Sequence, residues 1–518
     1  MKRTLNIFVF GRHFSTFASD RFRHQVVNST SSSSKECSSE FVNAKHFDSI
    51  PCPRSLPVVG HLYLFSRWGP YSFERLYDAY EDLNRKYGSI VRLDLGVCFL
   101  ALFDPEDIKV MFRHEGRYPT RPVFEALKLC RTRNPHKYRS AGIISESGKE
   151  WYRLRRAINW MLRPDSPDPY LPSQQAVAED FAERIRYIRN EENVCEDILN
   201  ELYRYTQESV GVICFDFRLG LVSAGKGKLH DREKKALSAV NDTLDSMAKT
   251  LLGFPWWKLF RTPTFKTLEA AQDFYYSMAM ENLERVRPRL ERDAKGKDSS
   301  SLLFLQKLFS NEDLDKRDIA LLMTEVYFAG IDTTANSLAF LLYNLARNQN
   351  VQEALYQEIK TKVPPVEKLT PSDLQNLTYL RACKKENHRL TPTAGGNARF
   401  ITEDVVLSGY HVPKGTLCIG INPSICKLDK YFSNPKEFRP ERWLGQEERS
   451  HPFATLPFGH GARRCVGQRF AEQEMSLCII KILQKFRLEY ADDKGVKMKM
   501  KLQIIPDRPI AIRFHDRK

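Results

Sequence analysis

The chain has 518 residues, 42% of them hydrophobic and 28% charged, with a net charge of +16. That composition supports one large core or a few domains. Its eleven cysteines are odd in number and scattered without a CxxC pair, which excludes a disulfide framework and points to a reducing compartment. The basic balance comes with no nucleic-acid motif and no concentrated arginine arm. An acidic protein partner or an anionic membrane therefore fits it better than nucleic acid.

Residues 1–35 carry Lys2, Arg3, Arg12, Arg21, Arg23 and Lys35 against one acid, Asp20, and end in the serine cluster Ser31–Ser34. A segment rich in Arg and Ser and poor in acids reads as a mitochondrial transit peptide. We place transit peptide and linker at 1–45 and a single folded domain at 46–518. The apolar run Leu5–Phe10 is too short to span a bilayer, which takes about 20 residues.

Residues 50–60, IPCPRSLPVVG, are stiffened by Pro51, Pro53 and Pro57 and end at Gly60, which predicts an extended entry to the folded body. Tyr87–Phe103 is rich in Val, Leu and Phe and predicts two strands of a small sheet. From Gly148 to Lys316 the pattern is mostly helical, broken by loops at 223–228 and 294–301. Between those loops, residues 251–263 (LLGFPWWKLFRTP) set Trp256, Trp257 and Phe260 beside Lys258 and Arg261. Aromatic residues mixed with cations suit a membrane interface, and equally a packed joint between two helices.

A helix apolar almost all round is predicted over Arg317–Arg347, so it should cross the interior of the body. Another is predicted near Leu377–Leu390. Short strands follow, then a helix over Phe470–Leu483 and a terminal hairpin over Met498–Phe514. The fold class is mainly α with a smaller β-rich part, that is, α+β.

The chemistry concentrates in FGHGARRCVG, Phe458–Gly467. A structural zinc wants four ligands and one cysteine cannot supply them. One thiolate can hold a haem iron axially and push electron density toward it. Gly461 and Gly467 free the backbone to turn tightly or lie close to a flat cofactor. Arg463 sets a permanent cation two residues from Cys465, able to pair with a haem propionate. The following helix would point its positive N-terminal dipole at the sulfur.

FxxGxRxCxG at this spacing resembles the haem-binding loop of the cytochrome P450 family, and the resemblance covers nearly all of the chain after about residue 50. AGIDTT, Ala329–Thr334, places the polar Asp332 and Thr333 in an otherwise apolar long helix. It resembles the family's oxygen-activation motif, which assigns Thr333 to steady the oxygen being activated and Asp332 to relay protons from solvent. Glu386, Arg389 and Arg442 resemble the family's structural Glu-Arg-Arg triad. Between them Asn387 and His388 depart from the small or apolar residues usual there, and a polar pair on a buried face needs partners. Trp151, Arg155, Arg399 and Arg463 match residues that face the haem propionates. Arg381, Lys384, Lys385 and Arg469 resemble the ferredoxin-docking face of mitochondrial members. Ala394, Gly395 and Gly396 fall where the family's pocket wall lies, and their small size leaves space there.

What the resemblance implies is a haem-thiolate monooxygenase of the mitochondrial class, invertebrate-like, with haem b (iron protoporphyrin IX) as cofactor. Electrons would come from an adrenodoxin-like ferredoxin and its NADPH-dependent reductase. One oxygen atom would enter a lipophilic substrate, sterol-like or foreign. The protein would sit peripherally on the matrix side of the inner membrane, touching it around Phe254–Phe260. Two other readings are a haem-thiolate isomerase or dehydratase needing no electrons, which tends to lack the Asp-Thr pair, and a non-enzymatic haem sensor or carrier.

Overall fold

The structure is a computed structural model that describes residues 39–122, 124–222, 231–252, 255–293, 303–363, 368–445 and 450–517. Most of the transit-peptide segment and the loops at 223–228 and 294–301 lie outside the described residues. Among the described residues the architecture is mainly α-helical with four small sheets, as the pattern predicts. Among the described residues no helix is long and apolar enough to cross a membrane. The chain separates into two compact units. One comprises the chain up to Pro122, Gly395–Tyr431 and Ser450–Leu456; the other comprises Val123–Ala394, Phe432–Arg449 and Pro457–Lys518.

The smaller unit is built on a four-stranded sheet. Ile90–Asp94 pairs antiparallel with Cys98–Leu102, the two strands expected from Tyr87–Phe103. Cys98–Leu102 then runs parallel to Leu417–Gly420, which pairs antiparallel with Asn397–Phe400. The proline-rich entry lies along this sheet: Arg92 N donates to Pro51 O at 3.0 Å, and the His61 ring bonds Pro53 O at 2.9 Å. Gly60 has φ +55°, and a Cβ there would sit 2.7 Å from Asp94 Cγ. Only glycine allows that turn to close on the strand. Gly396 plays a similar part, because a Cβ there would meet Gly420 O at 2.8 Å. Its small size serves strand approach, which corrects the expectation that it leaves pocket space.

The larger unit holds nine helices that matter for the site: α1 (Glu125–Thr132), α2 (Gly148–Ile158), α3 (Leu171–Ile188), α4 (Ile198–Phe215), α5 (Asp231–Leu252), α6 (Pro263–Asp293), α7 (Lys316–Arg347), α8 (Thr378–Leu390) and α9 (Gln468–Lys485). The expected boundaries of α7, α8 and α9 hold to within two residues. Its 32 residues make α7 about 48 Å long. It starts at a reciprocal cap, with Asp315 accepting from Asp318 N while the Asp318 side chain accepts from Asp315 N. Most of its residues are buried, packed chiefly on α4 and α6. Phe215 and Tyr327 meet at a ring-centroid distance of 4.9 Å, and Tyr275 stacks edge-on against Tyr327. Each such buried side chain contributes about 1.5–3 kcal/mol through the area it removes from water.

The terminal hairpin is shorter than expected. Met498–Met500 pairs with Ile504–Pro506, but Ile512–Asp516 leaves to pair with Phe486–Tyr490 and Val194–Cys195. Phe514 and Leu488 are fully buried in that second sheet, so the gain in burial decides the pairing.

Candidate functional site

The long helix carries an accessible stripe. Val326, Ala329, Gly330 and Thr333 are open or partly open, while their neighbours Phe328, Ile331, Asp332 and Thr334 are buried. Spacings of three and four place the open residues on one face of α7. With α7 packed on its other sides, this stripe is the face available to line a recess. Thr333 Oγ1 donates to Ala329 O at 2.9 Å, the backward bond expected for it. Gly330 leaves less room than expected, since Val210 of α4 occupies it; a Cβ would lie 3.0 Å from Val210 Cγ2.

Asp332, one residue before Thr333, turns away from that stripe. Its Oδ1 accepts from Tyr203 OH at 2.5 Å and from Asn336 Nδ2 at 3.0 Å. Burial raises its pKa above the usual carboxylate range, and the bonds from Tyr203 and Asn336 oppose that rise.

The cysteine loop precedes α9. Gly459 and Gly461 adopt φ of +70° and +73°, the left-handed turns that lead into it. Cys465 N donates to Phe458 O at 2.8 Å, closing the loop on itself. Cys465 is accessible, yet packing around it is dense enough that burial pushes its thiol above the ordinary value. Both hold when the sulfur lines a recess. The Gly467 amide and the charges of Arg155 and Arg464 pull the thiol back down. The basic setting therefore favours the thiolate, as its sequence suggests, but burial outweighs it. Metal coordination, which deprotonates a thiol outright, would supply the balance. A Cβ on Gly467 would meet none of the described residues within 4 Å, so the chain is uncrowded two residues beyond the sulfur.

Arg155 gives the most specific indication of what fills that space. It is buried on α2 and donates through Nη2 to Arg464 O at 2.8 Å. Its Nε is buried with no hydrogen-bond partner among the described residues. Burial pulls its pKa down to about 10, and the charge of Cys465 opposes this. A buried guanidinium without a carboxylate is costly and calls for an anion. Arg463 lies 4.2 Å from the centroid of the buried Trp151 ring and donates to Glu146 O at 2.7 Å and Ser147 Oγ at 3.2 Å. Trp151 thus acts here as the platform for Arg463. The larger unit brings Trp151, Arg155, Arg463 and Cys465 together. Arg399 belongs to the smaller unit, where its Nε donates to Glu115 at 2.5 Å and its guanidinium covers the Phe112 ring.

The triad is fully formed. Arg389 donates to both oxygens of Glu386, at 2.9 and 2.7 Å, and Arg442 Nε donates to Oε1 at 3.0 Å. Two further donors join it from outside the motif, Trp443 Nε1 at 2.9 Å and Arg439 N at 3.0 Å. Asn387 finds its partners on α7 and at the end of α8: its Nδ2 donates to Ser337 O, and its Oδ1 accepts from Asn344 and Thr391. The departure from family habit costs no unsatisfied amide at that residue. His388 packs edge-on to Phe458, ring centroids 5.3 Å apart, and burial keeps it neutral by lowering its pKa to about 4.

The expected docking cations divide. Arg381 and Lys385 are exposed on α8, and Arg469 is partly exposed on α9. Lys384 is 8% exposed, with Nζ donating to Glu472 O at 2.9 Å and Ser476 Oγ at 2.7 Å. That burial corrects its assignment, because Lys384 ties α8 to α9 and offers no charge to a partner. The aromatic segment divides too. Trp257 stacks on Phe265 in the core, whereas Trp256, Leu259 and Phe260 are 50%, 74% and 57% exposed. Phe254 lies outside the described residues.

A buried pair that no sequence motif announces joins three elements to α7. Arg131 of α1 pairs with Glu325, and its guanidinium also donates to Gln272 of α6 at 2.9 Å. Glu325 further accepts from Ile143 N at 2.6 Å. The partners are 194 positions apart, and nothing local in the sequence marks them.

Residues 50–514 match the family model of Cytochrome P450. The chain belongs to the cytochrome P450 family of haem-thiolate oxidoreductases, which bind haem b. It is similar to Cytochrome P450 302a1, mitochondrial, of Drosophila melanogaster, with 33% identity over 90% of this chain and 95% of that protein. It is similar to the mitochondrial 1,25-dihydroxyvitamin D(3) 24-hydroxylase of Mus musculus, at 30% over 91% of this chain and 89% of that one. The Ecdysone 20-monooxygenase of Drosophila melanogaster is 29% identical over 90% and 88%.

Proposed function

We propose that the chain is a mitochondrial monooxygenase that inserts one atom of dioxygen into a lipophilic, sterol-derived or foreign substrate. The observation that carries this reading is the buried, carboxylate-free Arg155 beside Cys465. A bound haem would supply oxygen activation and electron storage at this site. Cys465 would hold its iron, and Arg155 and Arg463 would neutralise its propionates. The Val326–Thr333 stripe would line the reaction chamber and exclude bulk water. Thr333 Oγ1, whose proton is given to Ala329 O, keeps its lone pairs for a donor inside the chamber. Asp332 stands beside it in the chain as the acid that hands protons inward.

Relatives named for 1,25-dihydroxyvitamin D(3) and ecdysone favour a sterol-derived substrate. Relatives named as mitochondrial, together with the Arg- and Ser-rich N-terminus, favour import and ferredoxin as donor. The exposed Trp256, Leu259 and Phe260, beside Lys258 and Arg261, suit shallow seating in a membrane surface.

The test is turnover with NADPH, ferredoxin reductase and ferredoxin on compounds first selected by a binding-spectrum screen. Under isotopically heavy dioxygen, product should carry one heavy oxygen atom; product labelled from water would overturn the reading. Docking has its own check. Arg381→Glu with Lys385→Glu should slow the first reduction by about tenfold or more at low ionic strength, the difference shrinking as salt rises. A reduction rate that keeps its salt profile would place the ferredoxin elsewhere.

A further inference from the structure

The monooxygenase reading gives Asp332 a proton to deliver but does not say what holds it or where protons enter. The surroundings of Asp332 answer both. Tyr203, on α4, donates to Asp332 Oδ1 at 2.5 Å. Asn336, one turn along α7, donates to the same oxygen at 3.0 Å and lies 3.3 Å from the Tyr203 hydroxyl. These three groups form a closed triangle. Asn336 is fully buried, and its Oδ1 accepts no hydrogen bond among the described residues. A buried amide oxygen normally has a donor, so this one suits a water. Tyr203 is partly open while its neighbours Leu202 and Tyr205 are buried.

α5 and the terminal hairpin, which both pack on α7, carry an ion pair between them. Lys501, in the turn of the terminal hairpin, meets Asp245 of α5 at 3.2 Å, each side chain about half exposed. Both charges are felt at Asp332: Lys501 favours its ionised form and Asp245 opposes it. Asp197 acts on Tyr203 in the same way, disfavouring loss of the phenol proton.

We infer that Tyr203 is a positioning residue for proton delivery: its hydroxyl fixes the Asp332 carboxylate on the side of α7 away from the chamber and joins it, through Asn336, to a route that opens at the Lys501–Asp245 pair. No electrons move in this step. A proton passes inward from solvent to Asp332, and another leaves Asp332 toward Thr333. This inference rests on the monooxygenase reading and adds to it a holder and an entrance.

The experiment uses haem-loaded protein and follows the carboxylic-acid carbonyl band in infrared pH-difference spectra. The Asp332 band is the one lost in Asp332→Asn. Tyr203→Phe removes a bond that favours the ionised form, so the band's midpoint should move to higher pH. Lys501→Ala should also move it up, and Asp245→Asn should move it down. In parallel, Tyr203→Phe should raise the solvent deuterium isotope effect on NADPH-driven oxygen consumption. The two surface variants keep the test informative if Tyr203→Phe fails to fold. An Asp332 band that stays put in Tyr203→Phe, or in both surface variants, overturns the inference. The reduced, CO-bound spectrum of the unaltered protein separates this from the underlying reading. If a thiolate-type band is present but the midpoints are unmoved, only the route falls; if that band is absent, the monooxygenase reading falls with it.

Discussion

Cys465→Ala should abolish the thiolate-type band of the reduced, CO-bound protein completely while leaving the fold in place. The substitution removes one sulfur atom and no backbone group. The bond from Cys465 N to Phe458 O involves main chain alone and survives it. The left-handed glycines 459 and 461 still set the turn, and Gly467 still opens α9. No other described cysteine of the larger unit can substitute: Cys130, Cys195, Cys214, Cys383 and Cys478 are all buried in helix or sheet packing. His388 is close to the loop, but its ring lies against Phe458. The far-UV circular dichroism spectrum should therefore stay unchanged. Thermal stability should fall by the lost cofactor linkage, which is about 2.7 kcal/mol when the free group stands at 100 times its Kd. Absorbance of the reduced protein under CO, with circular dichroism on the same sample, reads both results. A persisting thiolate-type band would show that another sulfur binds the iron.

Sequence and structure agree best where function compresses into a short motif. Cys465, Gly461 and Arg463 sit within ten residues, and the chemistry of those residues, with the resemblance of the loop to the family's, suggests a part for each. The long α7 is legible because a run of about thirty mostly apolar residues must be buried, and polar residues set inside it, Asp332 among them, then need a reason to be there. What stays hidden is what the chain joins over long separations. Arg131 and Glu325 meet only because α1 folds across α7, and Tyr203 meets Asp332 only because α4 packs beside it. Lys384 misleads for the complementary reason. A basic residue among other cations on a helix looks solvated, but residues one apart lie on different faces, and its face is covered by α9. Asn387 is legible as polar and unusual, while the three partners that satisfy it come from α7 and from the end of its own helix.

Glu386→Gln should be the most damaging single change to stability, although it alters one atom. Every lone pair of the carboxylate is spoken for. Oε1 accepts from Arg389 Nη2, Arg442 Nε and Arg439 N, and Oε2 accepts from Arg389 Nε and Trp443 Nε1. All five partners are donors, and an amide offers only one acceptor oxygen. With the amide nitrogen at the Oε2 position, an N–H faces Arg389 Nε and Trp443 Nε1; reversed, it faces the other three. Either way donor meets donor in a fully buried site. The negative charge that offset two buried guanidiniums is lost as well. Breaking a buried pair on one side costs about 3–5 kcal/mol. A folded domain has about 5–15 kcal/mol in total, so much of the margin goes. The expected result is a sharp drop in the yield of haem-loaded protein and a lowered thermal midpoint in what remains. Glu386→Asp keeps the charge but shortens the reach, so it should recover part of the yield where Gln recovers none. Should Gln and Asp prove equally well tolerated, the network would be peripheral to folding, and the five short bonds around Glu386 would be dispensable packing.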